Sequence, residues 1–229
     1  MKKIDLKNFF FPFLILLFFA KNIFSQTITG IEISGSICHQ KNSSLSVTPD
    51  GKALSVLFQE FQLQYPLSNG KRIIPQITDM ISTDLQGGNL QMIDYHYCLM
   101  SLNVKELNEK IVAVNLVGDA RGLVALPRGF KGSYKIAVDH HTGLKSPSRA
   151  RSLIAKQYWS DTDEDWTNSF SKKLNMVGSC QSTTKNIVIK VMLAMSKEKA
   201  ATGDALLTLD TLDQTLSSLK IDFKTAPCR

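Results

Sequence analysis

Apolar and polar positions alternate with a period of two along most of this chain, and no long window sustains a helical period. Ile31 and Ile33 alternate within 27–34, and Leu45 and Val47 alternate with Ser44, Ser46 and Thr48. Leu54, Val56 and Phe58 resume the pattern after Pro49-Asp50-Gly51-Lys52. In that turn proline presets one φ, aspartate caps the turn and glycine takes a positive φ at no steric cost, so a β-hairpin is committed here. Phe61, Leu63 and Tyr65 carry apolar character as far as Pro66. In the next patterned segment Cys98, Met100, Leu102 and Val104 share one face, which places Cys98 on the inward side of a strand. Residues 111–118 are rich in β-branched side chains and read as a central strand, ended by a turn at Leu126-Pro127-Arg128-Gly129. Tyr134, Ile136 and Val138 form a separate strand after it. Three strands close the chain, built on Ile187 to Met195, on Leu207 and Leu209, and on Leu219, Ile221 and Phe223.

Two stretches lose this pattern. Residues 66–92 hold two prolines, a Ser-Asn-Gly turn and a Gly-Gly pair around one short amphipathic piece, 77–85, and read as an irregular insertion. Residues 139–179 read as a second insertion, with a basic SPSRARS segment, a short strand or helix over 153–159 and an acidic SDTDEDW loop. Eight or nine short strands with turn signals between them predict an all-β fold. The expected architecture is an antiparallel two-sheet β-sandwich with disulfides and irregular insertions, with a compact barrel as the alternative.

The amino terminus changes the compartment. Lys2, Lys3 and Lys7 precede an uncharged apolar run, 9–20, that is short for a bilayer span and contains a proline, which marks residues 1–25 as a signal peptide. An uncleaved membrane anchor is the other reading of the same run. Residues 26–229 then form a single β-sandwich domain, secreted or periplasmic, with the insertions near 66–92 and 139–179. The formal charge of +7 falls to +4 without the leader, a mild excess that gives no argument for nucleic acid. It leaves room for attraction to cell-surface or matrix carbohydrate. The membrane is met only through the signal peptide during export.

Four cysteines, Cys38, Cys98, Cys180 and Cys228, lie beyond the leader. An even count in an oxidising compartment favours two disulfides, and three pairings are formally open. The expected pairs are Cys38–Cys98 and Cys180–Cys228, each tying a strand entrance to a later strand. The wide spacing has no C-x-x-C and disfavours zinc or thioredoxin-like chemistry.

An ordered set of residues resembles a known family. It runs from Gly35-x-x-Cys38 through Leu45-x-Val47-x-Pro49-Asp50-Gly51-x-x-Leu54-x-Val56-x-Phe58 to Cys98-x-Met100-x-Leu102-x-Val104. Arg121-Gly122 with Leu126-Pro127-x-Gly129 follows, and then Gly178-Ser179-Cys180 before Asn186-Ile187-Val188-Ile189. Together these are similar to the secreted proteins of the domain of unknown function 4360 family of fungi and bacteria, over most of 30–228. The resemblance implies secretion, paired cysteines and a β-rich fold, and implies no activity. Residues 66–92 are longer than that family's connection, and Ala120 stands where the family usually has tyrosine.

Candidate chemistry is sparse. Asp161, Asp163 and Asp165 present carboxylates at alternate positions as a cation site would, but Trp166 and Lys172 stand where an EF-hand loop needs glycine and glutamate. His140 and His141 are adjacent, so on a strand they point to opposite faces. His39 and His96 are single histidines. Tyr95, Tyr97, Tyr158, Trp159 and Trp166 are candidates for a carbohydrate-stacking face, although aromatic residues of such folds more often fill the core. No G-x-S-x-G is present, and no cofactor is expected. The leading expectation is a non-enzymatic extracellular or cell-surface binding module. The alternative is an enzyme acting on an extracellular polymer, using the aspartates with His140 or His141.

Overall fold

The computed structural model describes residues 27–36, 38, 43–49, 51, 53–58, 61–66, 85, 89–105, 109–141, 149–176, 184–209, 211–213 and 219–228. Eleven strands, and no α-helix among the described residues, make one antiparallel sheet. In chain order they are β1 (Thr27–Gly35), β2 (Ser43–Val47), β3 (Ala53–Phe58), β4 (Gln62–Tyr65) and β5 (Leu90–Lys105). Then come β6 (Glu109–His141), β7 (Arg149–Asn175), β8 (Thr184–Glu198), β9 (Ala205–Thr208), β10 (Thr211–Asp213) and β11 (Leu219–Pro227).

One ribbon organises the rest. β6 and β7, 33 and 27 residues long, pair from Ala113↔Asn175 to His141↔Arg149. The ribbon is bent at one corner, where Leu126 faces Thr162 and Lys131 faces Ser160. Residues 127–130 of β6 therefore take the longer track around Asp161 of β7. Both tracks use left-handed backbone at the corner, Gly129 at φ 85° and Asp161 at φ 57°. Aspartate is one of the few L residues that enter this region readily. Thr162 Oγ1 donates to Ser160 O at 2.9 Å across the corner residue.

On its other edge β6 changes partners at the corner. β11 lies beside residues 109–117, β10 beside 119–121 and β9 beside 124–125, and beyond the corner β8 lies beside 130–139. β3 and β2 extend the first half, β5 and β1 extend the second, and β4 pairs with β9. The two halves close over a single core that draws on both, from Leu54, Val56, Leu116 and Ile221 to Met100, Leu102, Ile136 and Val191. The ladder to β7 is interrupted at the corner and resumes beyond it, and all eleven strands belong to one sheet that is nearly closed, close to the barrel alternative.

Two expectations are corrected by this ribbon. Leu126 to Gly129 does not end a strand but bends one. The acidic stretch expected as a loop within 139–179 is the middle of β7, because strand pairing to β6 supplies the order that its own polar composition does not signal. The short amphipathic piece expected at 77–85 lies outside the described residues except for Leu85.

The bend is possible because aromatic rings of β7 lie over bare backbone of β6. Gly118 faces Phe170, Gly122 faces Trp166 and Gly132 faces Trp159. A methyl group on Gly118 would come within 3.1 Å of the Phe170 ring. On Gly122 it would meet the Thr208 carbonyl and approach Trp166 Nε1 to 2.9 Å, and on Gly132 it would press on Leu126 at 2.9 Å. Rings placed opposite strand glycines restore the packing that the missing side chains forgo. The corner brings Trp159 and Trp166 together at 4.9 Å between centroids, and Tyr134 lies 4.9 Å from Trp166 and 6.2 Å from Trp159. Such pairs contribute about 0.5–1.5 kcal/mol each beyond the area they bury.

Cys38 and Cys98 form a disulfide with Cα atoms 5.3 Å apart, as expected, and both are buried. The bond sits where the chain leaves β1. Gly35 pairs with Cys98, so closely that a Cβ would meet the Tyr97 carbonyl, and Ser36 N donates to Tyr97 O at 3.1 Å. The crosslink spans a separation of 60 residues. Closing a loop of that length removes about 4 kcal/mol of chain entropy from the unfolded state. Cys228 is also disulfide-bonded, while Cys180 lies outside the described residues.

Gly122→Ala should destabilise the protein by about 2–3 kcal/mol, since the clash is with backbone that cannot rotate away. Gly30→Ala, whose methyl would meet only the Asn103 side chain at 3.5 Å, should stay within about 0.5 kcal/mol of the parent. Equilibrium denaturation of the two variants checks both values, and equal effects would refute the packing account.

Candidate binding face

Directly paired residues of an antiparallel sheet share a face, so the register reads out what the outer side of the second half presents. One row runs Ser160, Lys131 and Ser196 across β7, β6 and β8. The next runs Tyr158, Ser133, Ala194 and Tyr95, and a third runs Lys156, Lys135, Met192 and Tyr97. The alternate rows, with Tyr134, Trp159 and Leu193, face the core.

The middle of this outer face is itself covered. Tyr95, Ser133, Ala137, Met192, Ala194 and Ser196 are buried, and Leu85 packs with Tyr95, Ala137, Met192 and Ala194 in a second small cluster. Among the described residues the hydroxyls of Ser133 and Ser196 have no hydrogen-bond partner. Around the covered centre, Tyr97, Tyr158, Lys131 and Lys135 are half-buried and Lys156 is exposed. Tyr95 and Tyr97 stack at 6.3 Å with 22° between ring planes, and Lys156 Nζ lies 5.5 Å from the Tyr158 ring centre. The three rows hold three lysines and no carboxylate. Beyond them Lys190 pairs with Asp139 at 2.6 Å.

The sequence-derived candidates are scattered over this frame. Asp161 occupies the ribbon corner, and Asp163 and Asp165 follow it, opposite Ala125 and Leu123, with all three carboxylates exposed. Among the described residues no group of three or more His, Cys, Asp or Glu side chains gathers in a metal-binding arrangement. His140 and His141 pair with Ala150 and Arg149 at the far end of the ribbon. The ten strand residues between Ala150 and Ser160 span about 30 Å, too far for these histidines and Asp161 to share an ion or a substrate bond. The five aromatic candidates do not share one face. Trp159 and Trp166 belong to the core with Tyr134, while Tyr95 and Tyr97 lie on the outer side and Tyr158 on the same side beside the lysines. The Trp159 and Trp166 indole N–H groups and the Tyr134 hydroxyl are buried without a hydrogen-bond partner among the described residues. Burial holds the Tyr134 phenol protonated well above the ordinary tyrosine range.

His39 lies outside the described residues. His96 stands with its Nε2 3.6 Å from Asp94 Oδ2. Burial pushes its imidazole below the ordinary histidine range, against the pull of Asp94 and of the Gln62 backbone. The same burial pushes the Asp94 carboxyl up, against His96 and the Tyr95 N–H, which donates to Oδ1 at 2.8 Å. Lys131, Lys135 and Lys156 were not candidates in the sequence. The alternation around Tyr134 and Ile136 marks Lys135 as outward-facing, but nothing in it says which strands stand alongside.

No family model matches the chain, and no curated protein matches it. Among solved structures the chain is similar to the carbohydrate-binding module TmCBM61 in complex with β-1,4-galactotriose, at a TM-score of 0.31 and 12% identity, covering 86% of this chain and 91% of that one. A TM-score this low does not establish a shared fold.

Replacement of Asp161 should follow backbone strain and not charge: Asp161→Asn or Asp161→Gly keeps stability, whereas Asp161→Val loses about 1–2 kcal/mol. Thermal or denaturant midpoints of the three variants measure this, and an equal loss in Asp161→Asn would point to the carboxylate instead. His96 sets a pH dependence. The unfolded chain takes up its proton near 6.5 while folded His96 resists protonation to lower pH. In that window the unfolded state binds more protons, so stability falls as pH drops. His96→Gln should flatten the fall in denaturant midpoint between about pH 7 and pH 5. Asp94 acts with the opposite sign in the carboxylate range, where its raised pKa lets the folded state protonate first.

Proposed function

We propose that the protein is an exported, non-enzymatic binding module that recognises an acidic extracellular polymer, in the first place a polysaccharide, through the outer face of β5, β6, β7 and β8. One observation carries the reading: Lys131, Lys135 and Lys156 share with Tyr97 and Tyr158 three adjacent rows that contain no carboxylate. Cations without an ion-pair partner among the described residues, standing around the covered centre of this face, attract a polyanion, and half-buried tyrosine rings offer apolar surface to a sugar face together with a hydroxyl. The apolar leader supports export, and the buried Cys38–Cys98 bond suits an oxidising compartment. Membership of the domain of unknown function 4360 family, and a reading of the two halves of the bent sheet as the layers of a sandwich, belong to the same proposal.

The enzymatic alternative is weakened by distance, since its aspartates stand at and beyond the ribbon corner in β7 and its histidines at the far end of β6. Calorimetric titration with a polyuronate and with a neutral glucan of similar length tests the proposal. Binding is expected for the polyuronate, weakened at least about tenfold in Lys135→Glu/Lys156→Glu and weakened by salt. Equal affinity for the two polymers, or an unaffected double variant, would remove the basis for this face as the site.

A further inference from the structure

The face just described is not the only unpartnered feature of β7. Among the described residues this strand pairs with β6 alone, so its other edge is open. From Thr162 to Asn175 the pairing to β6 runs without a register shift, and the segment contains no proline. Asp163, Glu164, Asp165, Thr167, Ser169, Ser171, Lys172 and Lys173 are all exposed, so no described residue covers this edge. A long, regular, uncovered edge is a template for another strand unless its side chains forbid it.

Here the side chains select one occupant. Asp163 and Lys173 stand equally far to either side of Asn168, and so do Glu164 and Lys172. In an antiparallel pair related by a two-fold axis normal to the sheet, a register centred on Asn168 puts Asp163 opposite Lys173 and Glu164 opposite Lys172. Symmetry repeats each pair, giving four opposite-charge contacts between side chains that make no ion pair among the described residues. The same register sets Trp166 against Phe170 and continues the inner, aromatic side of the ribbon. Sliding the register by two residues in one direction sets Lys172 against Trp166 and leaves only Asp165 against Lys173. A parallel in-register pairing stacks Asp163, Glu164 and Asp165 on themselves. Residues 149–160 contain no acid, so the amino-terminal half of β7 offers Lys156 no opposite charge in its own copy.

We infer that the carboxy-terminal half of β7 is a homodimerisation edge, at which a second copy of this chain pairs antiparallel about Asn168 and continues the sheet across the two-fold axis. This does not rest on the polymer-binding proposal, and it leaves the lysine and tyrosine rows of each copy outside the new interface.

Sedimentation velocity of the full chain at low and high ionic strength reads the association directly. A dimer is expected at low ionic strength, with its dissociation constant raised at least about tenfold by salt, because the new contacts are exposed charge pairs. Asp163→Lys/Glu164→Lys and Lys172→Glu/Lys173→Glu should each be monomeric while keeping the parent circular dichroism. An equimolar mixture of the two should recover the dimer, since every reversed charge then meets its opposite. A parent chain that stays monomeric under these conditions would overturn the inference. So would charge-reversed variants that self-associate as tightly as the parent, or a mixture that fails to re-form the dimer.

Discussion

The pairing of aromatic rings in β7 with glycines in β6 is the contact on which the remaining architecture depends. A two-stranded ribbon of this length twists on its own and has no reason to fold back. Bare backbone at Gly118 and Gly122 makes room for Phe170 and Trp166, Gly132 stands opposite Trp159, and the left-handed residues Gly129 and Asp161 give the bend its pivot. Once Trp159 and Trp166 meet across the corner, the partners recruited by the two halves of β6 are brought over one another. β11, β10 and β9 arrive on one side of the corner and β8 with β5 on the other, so a single core fills the space between them.

This use of the aromatic residues has consequences for function. Side chains that would suit a stacking platform, Trp159 and Trp166, are committed to the bend and buried there. The outer side of the second half is left with smaller polar groups, lysines and tyrosines, and its centre is sealed by the cluster around Leu85. The acidic run beginning at Asp161 is likewise bound up with architecture. Its first residue is held in the left-handed region by the corner, and the following carboxylates point outward along an edge. The two chemical features that remain available are therefore a face without carboxylates and an edge with both signs of charge in separate blocks.

The Cys38–Cys98 bond and the β1–β5 pairing show how a covalent link and a ladder reinforce each other. Gly35 allows β1 to approach Tyr97 closely, Ser36 exchanges hydrogen bonds with the Tyr97 backbone, and the disulfide follows just beyond the strand end. The chain is thus tied to the second half of the sheet at the point where it departs to build the β2–β3 hairpin in the first.

Much of this was legible from local pattern. Period-two alternation located the strands around Ile31, Leu45, Val56, Met100, Ile189 and Ile221, because alternate side chains of each pack into or against the core, and the Pro-Asp-Gly turn marked its hairpin by the φ angles it needs. The inward face of Cys98 followed from the same alternation. The sequence by itself therefore determined strand positions, inward faces and the antiparallel β class. It misplaced the turn at Leu126–Gly129 and the acidic stretch of β7, since a bent strand with glycines and charges has the local composition of turns and loops, and only pairing to a distant partner makes it extended. Which residues share the outer face, which strand keeps an open edge, and how far the candidate histidines stand from the aspartates were decided by tertiary structure alone. Those properties depend on strand order and register, which are set by contacts between segments far apart in the chain and leave no trace in the period of any one of them.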